Sequence, residues 1–172
     1  ALSDTAIAIP YAIQAGLGEY GRNGLLITKD YGPRVRFGMI FTNLPMQNDK
    51  PIQFGVNEFC SICTKCAQAC PAKAISFAAP DTQVYNQSNI KGVKKWSVNG
   101  ETCFQIWANQ GTECGICIRV CPYNKNNATV AQRIYYRAFR YVAASPFKKL
   151  ALWVDNALDY GKRVPAQNWW NT

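Results

Sequence analysis

The chain has 172 residues, which is enough for one domain or two small ones with a hydrophobic core. Apolar residues make up 48% of it and charged residues only 17%, and this composition excludes an intrinsically disordered chain. No run of about 18 apolar residues occurs, so the sequence predicts no membrane-spanning helix.

The formal net charge of +9 alone would suit nucleic-acid binding. However, no basic stripe interleaved with stacking aromatic residues is present, and we expect no nucleic-acid partner.

The first third of the chain combines a helix pattern with a strand pattern. Residues 7–15 are predicted to form a short helix that a glycine ends. Two strands are predicted, over 25–28 and 34–43, on either side of a turn. Residues 44–56, which contain two Pro and an Asn-Asp pair, are predicted to form a linker. One face of the second strand would carry Val35, Phe37, Met39 and Phe41, and the other would carry Arg34, Arg36, Ile40 and Thr42.

Residues 16–21 match G-x-G-x-x-G, the fingerprint of dinucleotide-binding proteins. That fingerprint follows a strand and opens a helix, whereas here a predicted helix precedes it and a predicted strand follows it. The acidic residue expected about 20 positions further on is also missing. The stretch therefore predicts a glycine-rich turn that lets the backbone approach a large ligand, and not a nucleotide site.

The remaining two thirds are cysteine-rich at first and helical at the end. The cysteines lie within 60–121, interrupted by a polar segment at 79–101 that we predict to be a hairpin or covering loop. Residues 128–144 are predicted to form an amphipathic helix. A second helix, capped by Ser145 with Pro at its first position, is predicted to extend to Gly161. The apolar face of the first of these helices would carry Ile134, Tyr135, Ala138, Phe139 and Val142.

The eight cysteines follow the spacing of a double 4Fe-4S motif. Residues 60–71 read C-x2-C-x2-C-x3-C-P, and the second half of that pattern recurs at 114–122. Three cysteines at intervals of three wrap one corner of a cubane, while the fourth, on a short helix before Pro, reaches the other cluster. The pattern therefore assigns one cluster to Cys60, Cys63, Cys66 and Cys121. The other takes Cys70, Cys114 and Cys117, with Cys103 as the remaining cysteine for its fourth ligand.

Eight cysteines could also form four disulfides or two zinc sites with four thiolates each. Neither alternative explains a third cysteine at the next interval of three, or the Pro that follows both Cys70 and Cys121. Two oxidised clusters, each about −2 with its thiolates, lower the net charge to roughly +5, so much of the basic excess is counter-charge. The motif predicts that the chain transfers single electrons.

Several stretches of the sequence resemble the corrinoid-dependent reductive dehalogenases. They are AIQAGLGE at 12–19, GRNG at 21–24, YGPRVR at 31–36 and FTNLP at 41–45. The cysteine layout, including the long loop before Cys103, follows the same family pattern. The likeness covers roughly residues 3–125.

The resemblance implies an α+β fold in three parts. Residues 1–55 would be the C-terminal part of a nitroreductase-like corrinoid-binding core, 56–125 a ferredoxin-like module with two 4Fe-4S clusters, and 126–172 a helical C-terminal extension. Electrons would pass through both clusters to the cobalt of a corrinoid, where an organohalide loses its halide. The chain would be the C-terminal portion of the catalytic subunit, whose proton-donating Tyr lies upstream. That Tyr is then none of Tyr11, Tyr20 and Tyr31.

The resemblance also implies roles for single residues. Arg36 falls where the family keeps an active-site Arg that stabilises the proton donor, and Trp107 where it keeps an aromatic that lines the substrate channel. Taken alone, Arg36 would be a solvated charge and Trp107 an aromatic that shields a cluster. Glu113, just before Cys114, departs from the aromatic that some members carry there. The corrinoid contacts implied are Gly18, Glu19, Tyr20, Gly21, Arg22 and Asn23.

By the same resemblance, the partners would be a small organohalide, a small membrane-anchor protein, a quinol-linked electron donor and a second copy in a homodimer. The enzyme would serve organohalide respiration at the outer, periplasmic face of the cytoplasmic membrane after export through a twin-arginine signal. Two other interpretations stay open. An epoxyqueuosine-reductase-like enzyme, also with a corrinoid and two clusters, is disfavoured by residues 33–36. A ferredoxin-type carrier without catalysis is disfavoured by residues 1–45, which resemble half a corrinoid site.

Overall fold

The computed structural model describes residues 7–86, 89–125, 129–159 and 161. Over these residues the chain mixes short helices with one small antiparallel sheet, which agrees with an α+β assignment. None of the described helices is long and apolar enough to cross a membrane. In chain order the elements are α1 (Ala8–Gln14), β1 (Glu19–Tyr20), β2 (Leu26–Ile27), α2 (Val56–Cys60), α3 (Lys65–Ala69), α4 (Gly100–Gln110), α5 (Ile116–Arg119), α6 (Val130–Ala143) and α7 (Lys148–Ala157).

The N-terminal elements agree with the sequence pattern up to the first strand pair. Helix α1 lies within the predicted range 7–15, and Gly16, with φ +68°, follows its end. A Cβ on Gly16 would lie 2.6 Å from the carbonyl oxygen of Lys50, so the turn needs glycine for space as well as for its backbone conformation. Strand β2 lies in the predicted range 25–28 but pairs with β1, Tyr20 opposite Leu26.

The predicted strand at 34–43 is wrong. The structure gives this stretch no strand hydrogen bonds, and the irregular backbone continues through the predicted linker until α2 begins at Val56. Its side chains are mostly exposed, with Ile40 at 92% and Phe41 at 77%. Alternating apolar residues are typical of a strand, but a strand forms only where a neighbour accepts and donates its backbone hydrogen bonds. The described part of the chain provides no such neighbour here.

Helix α6 confirms the prediction of a helix over 128–144, but its buried face is partly different. A capping box fixes its start: the Thr129 hydroxyl accepts from the amide of Gln132, and the Gln132 side-chain oxygen accepts from the amide of Thr129. Ile134, assigned to the apolar face, is 63% exposed. Phe139 of the predicted face is buried, and the other buried residues are Tyr136 and Ala143.

The second C-terminal helix is confirmed, with different ends. Ser145 is not its cap, because its hydroxyl accepts from the amide of Phe147 in a turn before the helix. Phe147 is the N-cap, so the helix begins at Lys148, two residues later than the sequence predicted. It ends at Ala157, before the predicted end at Gly161.

The main core packs against the turns that carry the cysteines. Phe59, Tyr123 and Phe139 meet edge to face, with ring centroids 5.5 to 5.7 Å apart. Phe59 directly precedes Cys60, and Tyr123 stands two residues after Cys121. The aromatic core, supported by α6, therefore holds two distant cysteine segments together.

A buried carboxylate connects α7 to the same two segments. Asp155 is fully buried, its Oδ2 lies 2.5 Å from Nζ of Lys65, and its Oδ1 accepts a hydrogen bond from Nζ of Lys125. Lys65 lies within the first cysteine motif, and Lys125 follows the second. Burial lowers the pKa of Lys125, and the charge of Asp155 opposes this shift. One carboxylate thus compensates two ammonium groups, one of them 2% exposed.

We expect Asp155→Ala to lower the free energy of unfolding by about 3–5 kcal/mol, because it removes a buried carboxylate from two cations. Chemical unfolding of the anaerobically prepared protein measures this. The control is Glu113→Ala, which breaks the exposed Arg36–Glu113 pair, 3.9 Å apart, and should change stability by less than about 1 kcal/mol. Equal effects of both substitutions would contradict the structural role of Asp155.

Candidate functional site

The structure gathers the eight cysteines around two separate cavities. The cysteines that line the first cavity, of about 320 Å³, are Cys60, Cys63, Cys66 and Cys121. Those that line the second cavity, of about 420 Å³, are Cys70, Cys103, Cys114 and Cys117. These are the two sets that the spacing of the motif predicts, and each set combines segments far apart in the sequence.

Two short helices carry the chain from one cavity to the other. Cys66, within α3, lines the first cavity, and Cys70, directly after α3, lines the second. Helix α5 makes the reverse crossing, from Cys117 at the second cavity to Cys121 at the first. The two helices pack against each other. Each Cys-x3-Cys-Pro segment therefore spans the wall between the cavities, which is why the fourth cysteine of each motif serves the other site.

The cysteine geometry does not suit the other two uses considered for eight cysteines. None of the eight cysteines forms a disulfide in the described structure. Within the described residues, no three Cys, Asp or Glu side chains are grouped closely enough to bind a single metal ion. Four thiols spread around a cavity instead fit a polynuclear group such as a 4Fe-4S cubane.

Burial raises the pKa of six of these thiols, which are Cys60, Cys63, Cys66, Cys103, Cys117 and Cys121. It raises the pKa of Cys60 and of Cys66 to about 12, and that of Cys117 to about 11. For Cys60, a hydrogen bond from the backbone amide of Arg22 and the Arg22 charge oppose the effect of burial. Clusters bind thiolates, so iron has to displace these protons when a cluster is assembled.

The glycine-rich segment at 16–21 approaches the chain itself. A Cβ on Gly18 would lie 2.2 Å from the carbonyl oxygen of Ile27, and a Cβ on Gly21 would lie 2.8 Å from Oδ1 of Asn23. These glycines let the β1 and β2 segments pack closely. The expectation of a turn that admits a large ligand is therefore not needed to explain them.

The side chains predicted to contact a corrinoid are engaged within the chain. Oε2 of Glu19 accepts hydrogen bonds from the amides of Phe54, at 2.7 Å, and Val56, at 3.1 Å, where α2 begins. The Tyr20 hydroxyl donates to the carbonyl of Trp96. Arg22 is 2% exposed. The side chains of Glu19 and Arg22 are both buried against other parts of the chain. The corrinoid contacts of residues 18–23 stay predictions.

Two residues of this segment have a position that the sequence did not reveal. Arg22 lines the first cavity, and Asn23 lines both cavities. The hydrogen-bond partners of the Arg22 guanidinium are carbonyl groups 38 to 56 residues further along the chain. No local pattern indicates such contacts, so sequence analysis could not find them.

The chain matches a known iron–sulfur domain and a family of enzymes. Residues 59–124 match the family described as "4Fe-4S double cluster binding domain". A tetrachloroethene reductive dehalogenase of Desulfitobacterium hafniense is 48% identical over 128 residues, 72% of this chain and 23% of that protein. The tetrachloroethene reductive dehalogenase of Sulfurospirillum multivorans is 38% identical over 163 residues, 94% of this chain and 32% of that protein. The chain belongs to the reductive dehalogenase family.

The fold agrees with that family. The solved structure of the catabolic reductive dehalogenase NpRdhA superposes with a TM-score of 0.74 at 32% identity, over 90% of this chain and 21% of that one. An epoxyqueuosine reductase of Lactococcus garvieae is 35% identical over 131 residues, 73% of this chain and 34% of that protein. The chain spans about a quarter of the length of the tetrachloroethene reductive dehalogenases from Desulfitobacterium. Residues 59–124 are its domain for two 4Fe-4S clusters.

Both residues that the family pattern places at the active site lie beside the second cysteine set. Nη2 of Arg36 is 3.9 Å from Oε2 of Glu113, which directly precedes Cys114, and the Arg36 side chain is 96% exposed. Trp107 lies on α4, one turn after Cys103. Its indole N–H is buried and has no acceptor among the described residues. The catalytic role of Arg36 and the channel role of Trp107 stay predictions.

Proposed function

We propose that this chain is the electron-transferring part of a reductive dehalogenase, an oxidoreductase that removes halide from an organohalide at a corrinoid cobalt. The observation that carries the proposal is the pair of four-cysteine cavities linked by α3 and α5. Relatives named for tetrachloroethene and trichloroethene support a chlorinated alkene as the substrate class. A solved relative whose title describes B12-dependent dehalogenation supports the corrinoid.

Each cluster takes the four thiolates of one cavity. Cys60, Cys63, Cys66 and Cys121 hold the first cluster, and Cys70, Cys103, Cys114 and Cys117 hold the second. The distance between the two sites is kept short by the Cys-x3-Cys segments that border both cavities. The corrinoid, when bound, supplies the reducing cobalt, and this chain supplies the cysteines that bring electrons towards it.

The stretch at 34–47 is proposed to belong to the nitroreductase-like corrinoid-binding core. Its apolar side chains Ile40, Phe41, Leu44 and Met46 are between 69% and 92% exposed. Soluble proteins seldom leave contiguous apolar surface of this kind uncovered. Because the relatives are about three times as long as this chain, we propose that other parts of the enzyme cover this stretch. Arg36, within it, would then face the active site and stabilise a proton donor from outside this chain.

The proposal extends to the cellular setting that the family resemblance implies. It includes export through a twin-arginine signal, a small membrane-anchor protein at the periplasmic face and a quinol-linked donor. A homodimer is part of the same proposal.

The experiment that tests the function is metal and corrinoid analysis of the anaerobically purified, full-length protein that contains this chain. We expect about eight iron atoms and one cobalt per chain, with release of chloride from tetrachloroethene. Eight iron atoms without cobalt, even after corrinoid is supplied, would leave a ferredoxin-type electron carrier. Cobalt with turnover of epoxyqueuosine and not of organohalides would identify the second candidate, which the 35% identity to an epoxyqueuosine reductase supports.

Cys103→Ser should remove the second cluster and leave the first, because serine is a poor substitute for thiolate. We expect iron to fall from about eight to about four atoms per chain. Cys121→Ser is the matched variant and should remove the first cluster by the same amount. If the Cys103→Ser protein retains all its iron, Cys103 is not a cluster ligand.

Arg36→Ala should lower kcat for dehalogenation by about 10²-fold without loss of iron, because an exposed charge contributes to chemistry and not to cluster ligation. Turnover of tetrachloroethene and iron content measure the two effects separately. Arg137→Ala, which removes an exposed arginine on α6, is the control and should change neither. Unchanged turnover in Arg36→Ala would return Arg36 to the role of a solvated surface charge.

A further inference from the structure

Arg22 carries a buried positive charge at the wall of the first cavity. Its side chain is 2% exposed, and all its hydrogen bonds go to backbone carbonyls. Nε and Nη2 donate to the carbonyl of Cys60, at 3.0 and 2.9 Å, and Nη1 donates to Ser76, at 2.7 Å, and Ala78, at 3.0 Å. The guanidinium lies 4.8 Å from the ring centroid of Trp96. These contacts fix the charge in one place.

No carboxylate neutralises this charge in the described part of the chain. The ion pairs formed there involve Arg36, Lys65, Lys125 and Arg140, and not Arg22. Glu19, three residues earlier, instead accepts hydrogen bonds from the amides of Phe54 and Val56. The two lysines near the first cysteine set share Asp155. A buried cation without a counter-ion is energetically unfavourable, so an anion in the adjacent cavity would stabilise the Arg22 guanidinium.

We propose that Arg22 is the built-in counter-ion of the first cluster, and that its charge raises the reduction potential of that cluster relative to a protein without it. The proposal rests on the ligand assignment in the proposed function, which places an anionic cluster in the cavity that Arg22 lines. Each reduction adds one electron and hence one negative charge to the cluster. A fixed positive charge stabilises the reduced cluster more than the oxidised one, which shifts the potential upward.

The second cavity provides an internal comparison. Its described lining is apolar apart from the cysteines and Asn23, and it contains no Lys or Arg. The effect of Arg22 should therefore fall on one cluster and leave the other nearly unchanged. General damage to the protein would change both.

The experiment compares Arg22→Gln with Arg22→Lys in the full-length protein with both clusters loaded. Redox titrations with dithionite and mediators, followed by electron paramagnetic resonance, give the midpoint potential of each cluster. In Arg22→Gln we expect one cluster to show a ratio of reduced to oxidised form at least tenfold lower at the wild-type midpoint, a shift of about 59 mV for one electron. The other midpoint should stay in place. Arg22→Lys, which keeps the charge, should recover most of the shift.

Iron content makes the comparison decisive if the neutral variant assembles poorly. Loss of iron in Arg22→Gln with full iron in Arg22→Lys supports the counter-ion role, because lysine keeps the positive charge and glutamine does not. Equal iron loss in both variants, or full iron with both midpoints unchanged in Arg22→Gln, overturns it. Failure of the wild-type protein to hold two clusters would instead contradict the proposed function, so the two failures are distinguishable.

Discussion

The structure depends on one constraint: a single chain has to place cysteines from two segments around each of two cavities. Helices α3 and α5 meet this constraint by crossing between the cavities side by side, in opposite directions. The residues that pack around these helices hold the two cysteine segments together. The aromatic cluster of Phe59, Tyr123 and Phe139 packs beside the first cavity. Asp155 adds a polar connection from α7 to both segments. The C-terminal helices are thus part of the support of the cluster domain.

The two cavities differ in their electrostatic surroundings. The first has Arg22 in its lining, and two lysines close in sequence to its cysteines, Lys65 and Lys125, share the buried Asp155. The second is bordered by apolar residues such as Ile75, Val98 and Ile106. Cluster potentials depend on nearby charge, hydrogen bonds and burial. With the proposed four-thiolate ligation at both sites, residues outside the ligand sets can therefore give the two clusters different potentials.

Features that depend on residues close together in the sequence could be predicted, and features that depend on distant residues could not. The grouping of seven of the cysteines could be read from spacing, because three-residue intervals and a following Pro constrain the backbone locally. Cys103 was assigned only as the cysteine that remained. The helices at 8–14 and 130–143 were likewise local patterns. The strand predicted at 34–43 was wrong because pairing depends on a neighbour that periodicity does not report. The buried face of α6 does not include Ile134, which the sequence pattern had placed on it. The elements packed around a helix decide which of its apolar side chains are covered.

Arg22 shows the limit of sequence analysis most clearly. In the sequence it stands among glycines, and the family resemblance placed it with the corrinoid contacts. In the structure its guanidinium reaches carbonyls of the cysteine domain, and the glycines around it pack the β1 and β2 segments. The family resemblance assigns the segment at 18–23 to a corrinoid-binding core, whereas in the structure its residues Arg22 and Asn23 line the first cysteine cavity. A substitution there acts on the cluster domain directly, so a change in dehalogenation caused by it has to be separated from a change in electron supply before it says anything about corrinoid binding.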